Sequence, residues 1–424
     1  MHDQRRQPNP RPEPDGTDYT LVRPERNTRL HSSRLRKAAI ALAIVLPIAI
    51  VGLWIAIHRV GWLGPWLADT ARAIVGTEAV TEVEKAAYAA QDWWDLQFRA
   101  DEAPKQYWDA PALPSPAAAP VASSASSPPL ASVPEPAPSP PPFRPRDVGP
   151  LYPDKSTDAD GVWVPISDPR HPGEEPIAFK TMLHPDHRRS WSEVFVVALD
   201  LSRIDIHYVL GRTDPKAITG RRVDRPALIP EAHRDGLVLA FNGGFKTEHR
   251  RYGVKIDDTF LVPGRKGVCT VALHAGTPLQ VRTWEALEPP GDTATWLRQT
   301  PPCLIERGDV HPGLRDEESR TWGSLFGKTV IRRSAIGLDR DNETLFVAIS
   351  NATTPHVMAK AMHHVGAYDA AQLDVNWSYT KILVFRPGSE GALEAQSLVE
   401  GFVSHRDEYL RIRAPKDFFY VVRK

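Results

Sequence analysis

Arg333-Ser334-Ala335-Ile336-Gly337-Leu338, then Asp339-Arg340-Asp341-Asn342, then Thr344-Leu345-Phe346-Val347-Ala348-Ile349 is the stretch that decides the fold. Two apolar runs flank a short polar turn, the pattern of a β-hairpin. A helix is expected next. Thr354 is an N-cap residue type, Pro355 suits the first turn, and Val357, Met358, Ala361, Met362 and Val365 recur at helical spacing until Gly366 ends the run. The chain then passes through Leu373 to Asp374, crosses the polar turn Val375-Asn376-Trp377-Ser378-Tyr379-Thr380, and enters another apolar strand, Ile382-Leu383-Val384-Phe385. A carboxylate and a hydroxyl thereby sit beside strand ends, where site residues tend to collect.

Outward from this stretch the strands continue. Residues 194–199 and 204–209 read as adjacent strands joined by a short polar turn, and 237–240 leads into Asn242-Gly243-Gly244. Residues 268–274 and 279–284 form a second hairpin across Ala275-Gly276, and the last strand spans 418–422. Few helices stand out, 355–365 being the clearest. The pattern predicts an α+β domain over residues 151–424, a mixed β-sheet with flanking helices.

The N-terminal third has a different character. Residues 1–37 are rich in Arg and Pro without apolar periodicity and read as a disordered cytoplasmic tail. Residues 38–57 are an apolar run of bilayer length, which predicts a single transmembrane helix. The run starts too late and is too long for a cleaved signal peptide. Arg23, Arg26, Arg29, Arg34, Arg36 and Lys37 crowd its N-terminal side, so the N-terminus is expected in the cytoplasm and the C-terminal domain outside it, as in a single-pass protein of a bacterial inner membrane. Residues 58–110 carry interfacial tryptophans and then helix formers from Glu78 to Ala100, a juxtamembrane helix that rests on the membrane, on its own domain or on a partner. Residues 111–150 are a Pro, Ala and Ser mixture, a semi-extended linker able to carry the domain toward envelope polymers.

Lys+Arg and Asp+Glu both number 52, so the totals lack the basic excess that a nucleic-acid binder needs. The only cysteines are Cys269 and Cys303. They read either as two buried thiols or as one disulfide, and spacing does not decide. Nothing in the sequence calls for a cofactor. Gly323-Ser324-Leu325-Phe326-Gly327-Lys328-Thr329 is one residue short of a P-loop, and there is no Gly-x-Ser-x-Gly elbow. His184-Pro185-Asp186-His187 and His363-His364 lack the spacing of a helical zinc site, so no metal is expected. The oligomeric state is left open.

Leu239-Ala240-Phe241-Asn242-Gly243-Gly244-Phe245, then Tyr252-Gly253-Val254, Pro302-Cys303-Leu304-Ile305, the strand at Arg333 and Leu373-Asp374 occur in an order that resembles the phosphodiester glycosidase family. The resemblance implies hydrolysis of the bond between a sugar and a phosphodiester. One departure stands out: three glycines and a serine are expected after the aspartate, whereas Val375, Asn376 and Trp377 precede Ser378 here. Side chains at glycine positions change how closely a ligand can approach.

Expelling a phosphate monoester requires little protonation of the leaving group, so such a site needs donors for phosphate, a carboxylate for water or the anomeric carbon, and polar groups for sugar hydroxyls. Arg333 is the phosphate candidate, because guanidinium matches phosphate bidentately and the resemblance places an arginine there; its alternative is a strand-end surface arginine. Asp374 is the carboxylate candidate, against a turn-capping aspartate. Asn242, Gly243 and Gly244 offer backbone N–H groups to a ligand or form an ordinary turn. Asn376, Trp377 and Ser378 complete the substrate-binding set, with Trp377 able to stack on a sugar ring or fill a core. A second carboxylate is wanted, and Glu306, Asp309 and Asp257 are equal candidates. Two functions follow: a membrane-anchored extracytoplasmic hydrolase of sugar phosphodiesters in envelope glycans, or a glycan-binding domain that kept the fold without the reaction.

Overall fold

The computed structural model describes residues 74–109 and 142–424 apart from 324, 325, 390 and 403, with scattered positions between 40 and 71. The chain divides into two units, Met1–Gly64 and Pro65–Lys424. In the first, Ile40, Val45, Leu46, Ile48 and Leu53 are helical and exposed. Among the described residues no helix is long and apolar enough to cross a membrane. The predicted tail 1–37, most of the predicted span 38–57 and positions 111–141 of the predicted linker lie outside the described residues.

Among its described residues the second unit is built of three sheets. Eight strands run in the order β1 (Val164–Pro165), β2 (Ala178–Leu183), β3 (Val194–Asp200), β14 (Thr344–Thr353), β13 (Ile331–Leu338), β15 (Asp369–Gln372), β11 (Ile305–Glu306) and β12 (Asp309–Val310). A five-stranded sheet has the order β17 (Leu393–Ser397), β16 (Ile382–Pro387), β5 (Leu237–Asn242), β18 (Phe418–Arg423) and β4 (Ile204–Val209). Another five strands are β7 (Thr259–Val262), β6 (Val254–Ile256), β10 (Trp296–Gln299), β8 (Cys269–Leu273) and β9 (Gln280–Thr283).

The hairpin read from the opening stretch is β13–β14, paired Arg333 to Ser350 through Leu338 to Leu345, and the second predicted hairpin is β8–β9. Two expectations are corrected. The sheets are not mixed: the described strand pairings are antiparallel. Residues 194–200 and 204–209 are not paired neighbours either, because β3 pairs with β14 and β2 while β4 pairs with β18. The short turn between them carries the chain from one sheet to the next.

Alternation along β3 explains the layering. Phe195, Val197 and Leu199 enter a core shared with Phe241 of β5, Val271 of β8, Trp296 of β10 and Phe419 of β18. Val194, Val196 and Ala198 face the other way, onto helix α2 (Pro355–His364) through Met358 and Met362. Each such fully buried Val, Leu or Phe contributes roughly 1.5–3 kcal/mol. Helix α2 begins as read: the Thr354 hydroxyl accepts from the Val357 N–H at 3.2 Å, and Gly366, at φ 99°, ends it.

Helix α1 (Thr77–Phe98) rests on its own domain by its polar side. Arg189 donates to both carboxylate oxygens of Asp92 at 2.7 Å, and Arg320 pairs with Glu82 at 3.1 Å. Val83, Trp93, Trp94 and Phe98 are exposed. Cys269 and Cys303 form a disulfide with Cα atoms 4.7 Å apart, joining β8 of one sheet to the approach to β11 of another.

Candidate active site

Asp374 lies two residues past the end of β15, and its backbone is held from several sides. Its N–H donates to the Gly243 carbonyl at 3.1 Å, and its own carbonyl accepts from the hydroxyls of Ser334 at 3.0 Å and Thr380 at 3.1 Å. In the side chain, Oδ1 accepts from the Val375 N–H at 2.9 Å and Oδ2 is paired with Lys416 Nζ. The carboxylate is thus buried in the wall of a small pocket lined also by Asn242, Gly243, Gly244, Tyr379, Lys381, Glu408, Lys416 and Asp417.

Asp417 is the second carboxylate of the pocket. Oδ2 accepts from Arg298 Nε at 2.7 Å, Tyr208 Oη at 3.0 Å and the Gly244 N–H at 3.2 Å. Oδ1 is buried with no hydrogen-bond partner, an unmet acceptor on a residue of the pocket wall. Burial and then the neighbouring Asp417 push the Tyr208 phenol far above its ordinary range, so it stays a donor. Of the earlier candidates for this role, Glu306 and Asp309 line a different cavity beside Cys303 and His311, and Asp257 sits at the β6–β7 turn with φ 48°.

The predicted residues separate into groups. Asn242, Gly243 and Gly244 join Asp374, but they serve the scaffold: the Gly243 N–H donates to the Asp417 carbonyl at 2.9 Å, and the Gly244 N–H is taken by the Asp417 side chain. Asn242 donates to Ser334 Oγ at 2.9 Å and accepts from the Lys381 N–H at 3.2 Å, linking β5 to β13. Arg333 lies away from the pocket. Its guanidinium is buried and donates to the carbonyls of Thr353 at 3.0 Å, Trp322 at 3.3 Å and Thr329 at 3.2 Å and to Gln372 Oε1 at 3.0 Å. Burial lowers it to about 9, and four acceptors keep it charged at neutral pH.

Trp377, Asn376 and Ser378 occupy the turn after Asp374. Asn376 Oδ1 accepts from the Ser378 N–H at 3.0 Å, an Asx turn. Trp377, 39% exposed, stands over the Arg332 guanidinium at 3.7 Å and borders a separate cavity of about 60 Å³ shared with Tyr88 and Asp92 of α1. Arg332 also donates to the Trp377 carbonyl at 2.6 Å, so the ring rests on a fixed cation.

Sequence reading missed Arg298, Lys381, Glu408, Lys416 and Asp417. Arg298 is a charge on the buried strand β10, and Lys416-Asp417 is a charge pair directly before the apolar strand β18; charged residues adjoining strand-forming apolar ones are the signal that was present.

Residues 235–380 match the phosphodiester glycosidase family model. The matched segment opens two residues before β5, runs through Asp374 to Thr380 and includes Arg298. It ends before Lys381, Glu408, Lys416 and Asp417, which supply the charged remainder of the pocket wall. The zebrafish N-acetylglucosamine-1-phosphodiester alpha-N-acetylglucosaminidase catalytic domain, auto-inhibited by its pro-peptide, is similar to this chain at 15% identity, covering 61% of this chain and 87% of its own, with a TM-score of 0.38. A hypothetical protein from Synechocystis is similar at 13% identity, covering 55% of this chain and 59% of its own, with a TM-score of 0.30. No curated protein matches the sequence.

Proposed function

We propose that this chain is a hydrolase that cleaves the glycosidic bond of a sugar phosphodiester, tethered outside the cytoplasm and acting on envelope glycans. The observation that carries this reading is the meeting of Asp374 and Asp417, two buried carboxylates, around one pocket that also holds lysines. Asp374 is oriented by four backbone or side-chain partners and is the group to attack the anomeric carbon or activate water. The unmet Oδ1 of Asp417 supplies an acceptor for a sugar hydroxyl. Because the leaving group is already a stable anion, neutralising its charge matters more than protonating it, and the pocket cations suit that task. The match of residues 235–380 to phosphodiester glycosidases supports the substrate class. The tether rests on the apolar run 38–57 and the Pro-rich 111–150, and the Cys269–Cys303 disulfide fits an oxidising compartment.

The test is phosphate-monoester release from a panel of sugar phosphodiesters by the purified full-length protein, beside Asp374→Asn. Turnover by the wild type that falls by about 10³-fold or more in the variant, with folding intact, is the expected outcome. A second reading has its own observation: Trp377 offers a half-exposed ring, propped on Arg332, for stacking against a sugar. Saturable glycan binding that depends on Trp377, with no turnover across the panel, selects that binding module instead.

A further inference from the structure

The pocket beside Asp374 has a volume of about 10 Å³, room for one water and not for a phosphate or a sugar. Paired side chains fill it. Lys416 Nζ is held by Asp374 Oδ2, the two side chains being 6% and 5% exposed, and Lys381 Nζ is held by Glu408 Oε1. Any ligand that reaches Asp374 therefore has to move a lysine. Charge leads to the same place: a phosphate brought beside Asp374 meets a like charge unless a cation changes partners. Arg298, behind the pocket wall, is locked onto Asp417 and the Phe245 carbonyl, and Lys381, in the wall, onto Glu408. Lys416 is the one whose carboxylate partner is Asp374 itself, and its ammonium also lies 4.9 Å from the Tyr379 ring centre at the pocket wall.

We propose that Lys416 is the phosphate-binding group of this site, stored on Asp374 and handed to the phosphate of an incoming ligand. The exchange breaks one ion pair and forms another, Lys416 to phosphate oxygen. It opens the pocket and leaves Asp374 free to face the sugar. No covalent bond changes and no proton moves. Lys416 lies outside the segment matched to the glycosidase family, so this assignment belongs to the chain's own residues. It rests on the glycosidase reading for the role of Asp374 after the exchange, whereas the phosphate contact stands independently.

The test is calorimetric titration of inorganic phosphate, and separately of glucose 1-phosphate, into the full-length protein and its Lys416→Met, Lys416→Arg, Asp374→Asn and Asp374→Asn/Lys416→Met variants. If Asp374 competes for the lysine, Asp374→Asn binds phosphate at least about tenfold more tightly than the wild type, a gain that misfolding does not produce. Lys416→Met and the double variant lose the binding, and Lys416→Arg retains it. Phosphate affinity unchanged by Lys416→Met, no tightening in Asp374→Asn, or no binding by any variant overturns the proposal. Phosphate binding with the expected pattern, but no turnover of any sugar phosphodiester, leaves the lysine assigned and overturns the hydrolase reading alone.

Discussion

Gly243 and Gly244 are glycines because of what is packed against them. A Cβ at Gly243 would stand 2.5 Å from the Asp417 carboxylate, and one at Gly244 would stand 2.7 Å from the Arg298 guanidinium carbon. Both contacts are far inside van der Waals distance, and the side chains they meet are committed to a buried ion pair. Gly243→Ala is therefore expected to lower unfolding free energy by about 1–3 kcal/mol in chemical denaturation and to lower turnover as well, since Asp417 has to shift. An unchanged denaturation midpoint contradicts this packing account. Arg333 tests differently. Its replacement by Met strands three carbonyls and the Gln372 side chain, so a loss of about 3 kcal/mol or more is expected, together with any loss of activity. If Arg333→Met remains as stable as the wild type while activity vanishes, Arg333 has a role in the reaction after all.

Strand β18 is where elements rather than residues decide the site. It pairs with β4 and β5 at once, and Lys416 and Asp417 enter the pocket because they immediately precede it. On its outward side His207 of β4 stacks on Tyr420 at 4.7 Å and 15°, while His233 Nδ1 is 2.6 Å from the Tyr420 hydroxyl. Burial first, and His233 second, hold the His207 imidazole below its ordinary 6.5. A depressed histidine binds fewer protons folded than unfolded, so its contribution is present above 6.5 and is lost as pH falls below it. Thermal unfolding midpoints should accordingly fall between pH 7.5 and lower values, and fall less in His207→Phe. Equal pH slopes in the two proteins refute the assignment to His207.

At the scale of the whole molecule, three sheets share one core, and the disulfide ties two of them. It spans 34 residues, for which the chain-entropy account gives about 3–4 kcal/mol. A Cys269→Ser/Cys303→Ser double variant should lose about that much stability by equilibrium denaturation while the pocket around Asp374, built by other strands, keeps its phosphate response. Loss of both together shows that the sheets do not hold the pocket without the crosslink. Helix α1 adds a second whole-molecule feature: its polar side is spent on Arg189 and Arg320, leaving Trp93, Trp94 and Phe98 outward.

The sequence by itself determined what a few neighbouring residues encode. The β13–β14 and β8–β9 hairpins, the capped start and glycine stop of α2, and the placement of Asp374 just past a strand are all legible from spacing and turn chemistry, since each interaction joins residues that are neighbours along the chain or are brought together by one short turn. The tertiary structure alone decided which sheet β3 and β4 join, that Cys269 meets Cys303, that Arg333 turns inward onto carbonyls, and that Asp374 meets Lys416, 42 residues downstream. Those outcomes depend on register and packing between distant strands, where a pairing becomes favourable only after the whole sheet is assembled. Local pattern carries no record of that.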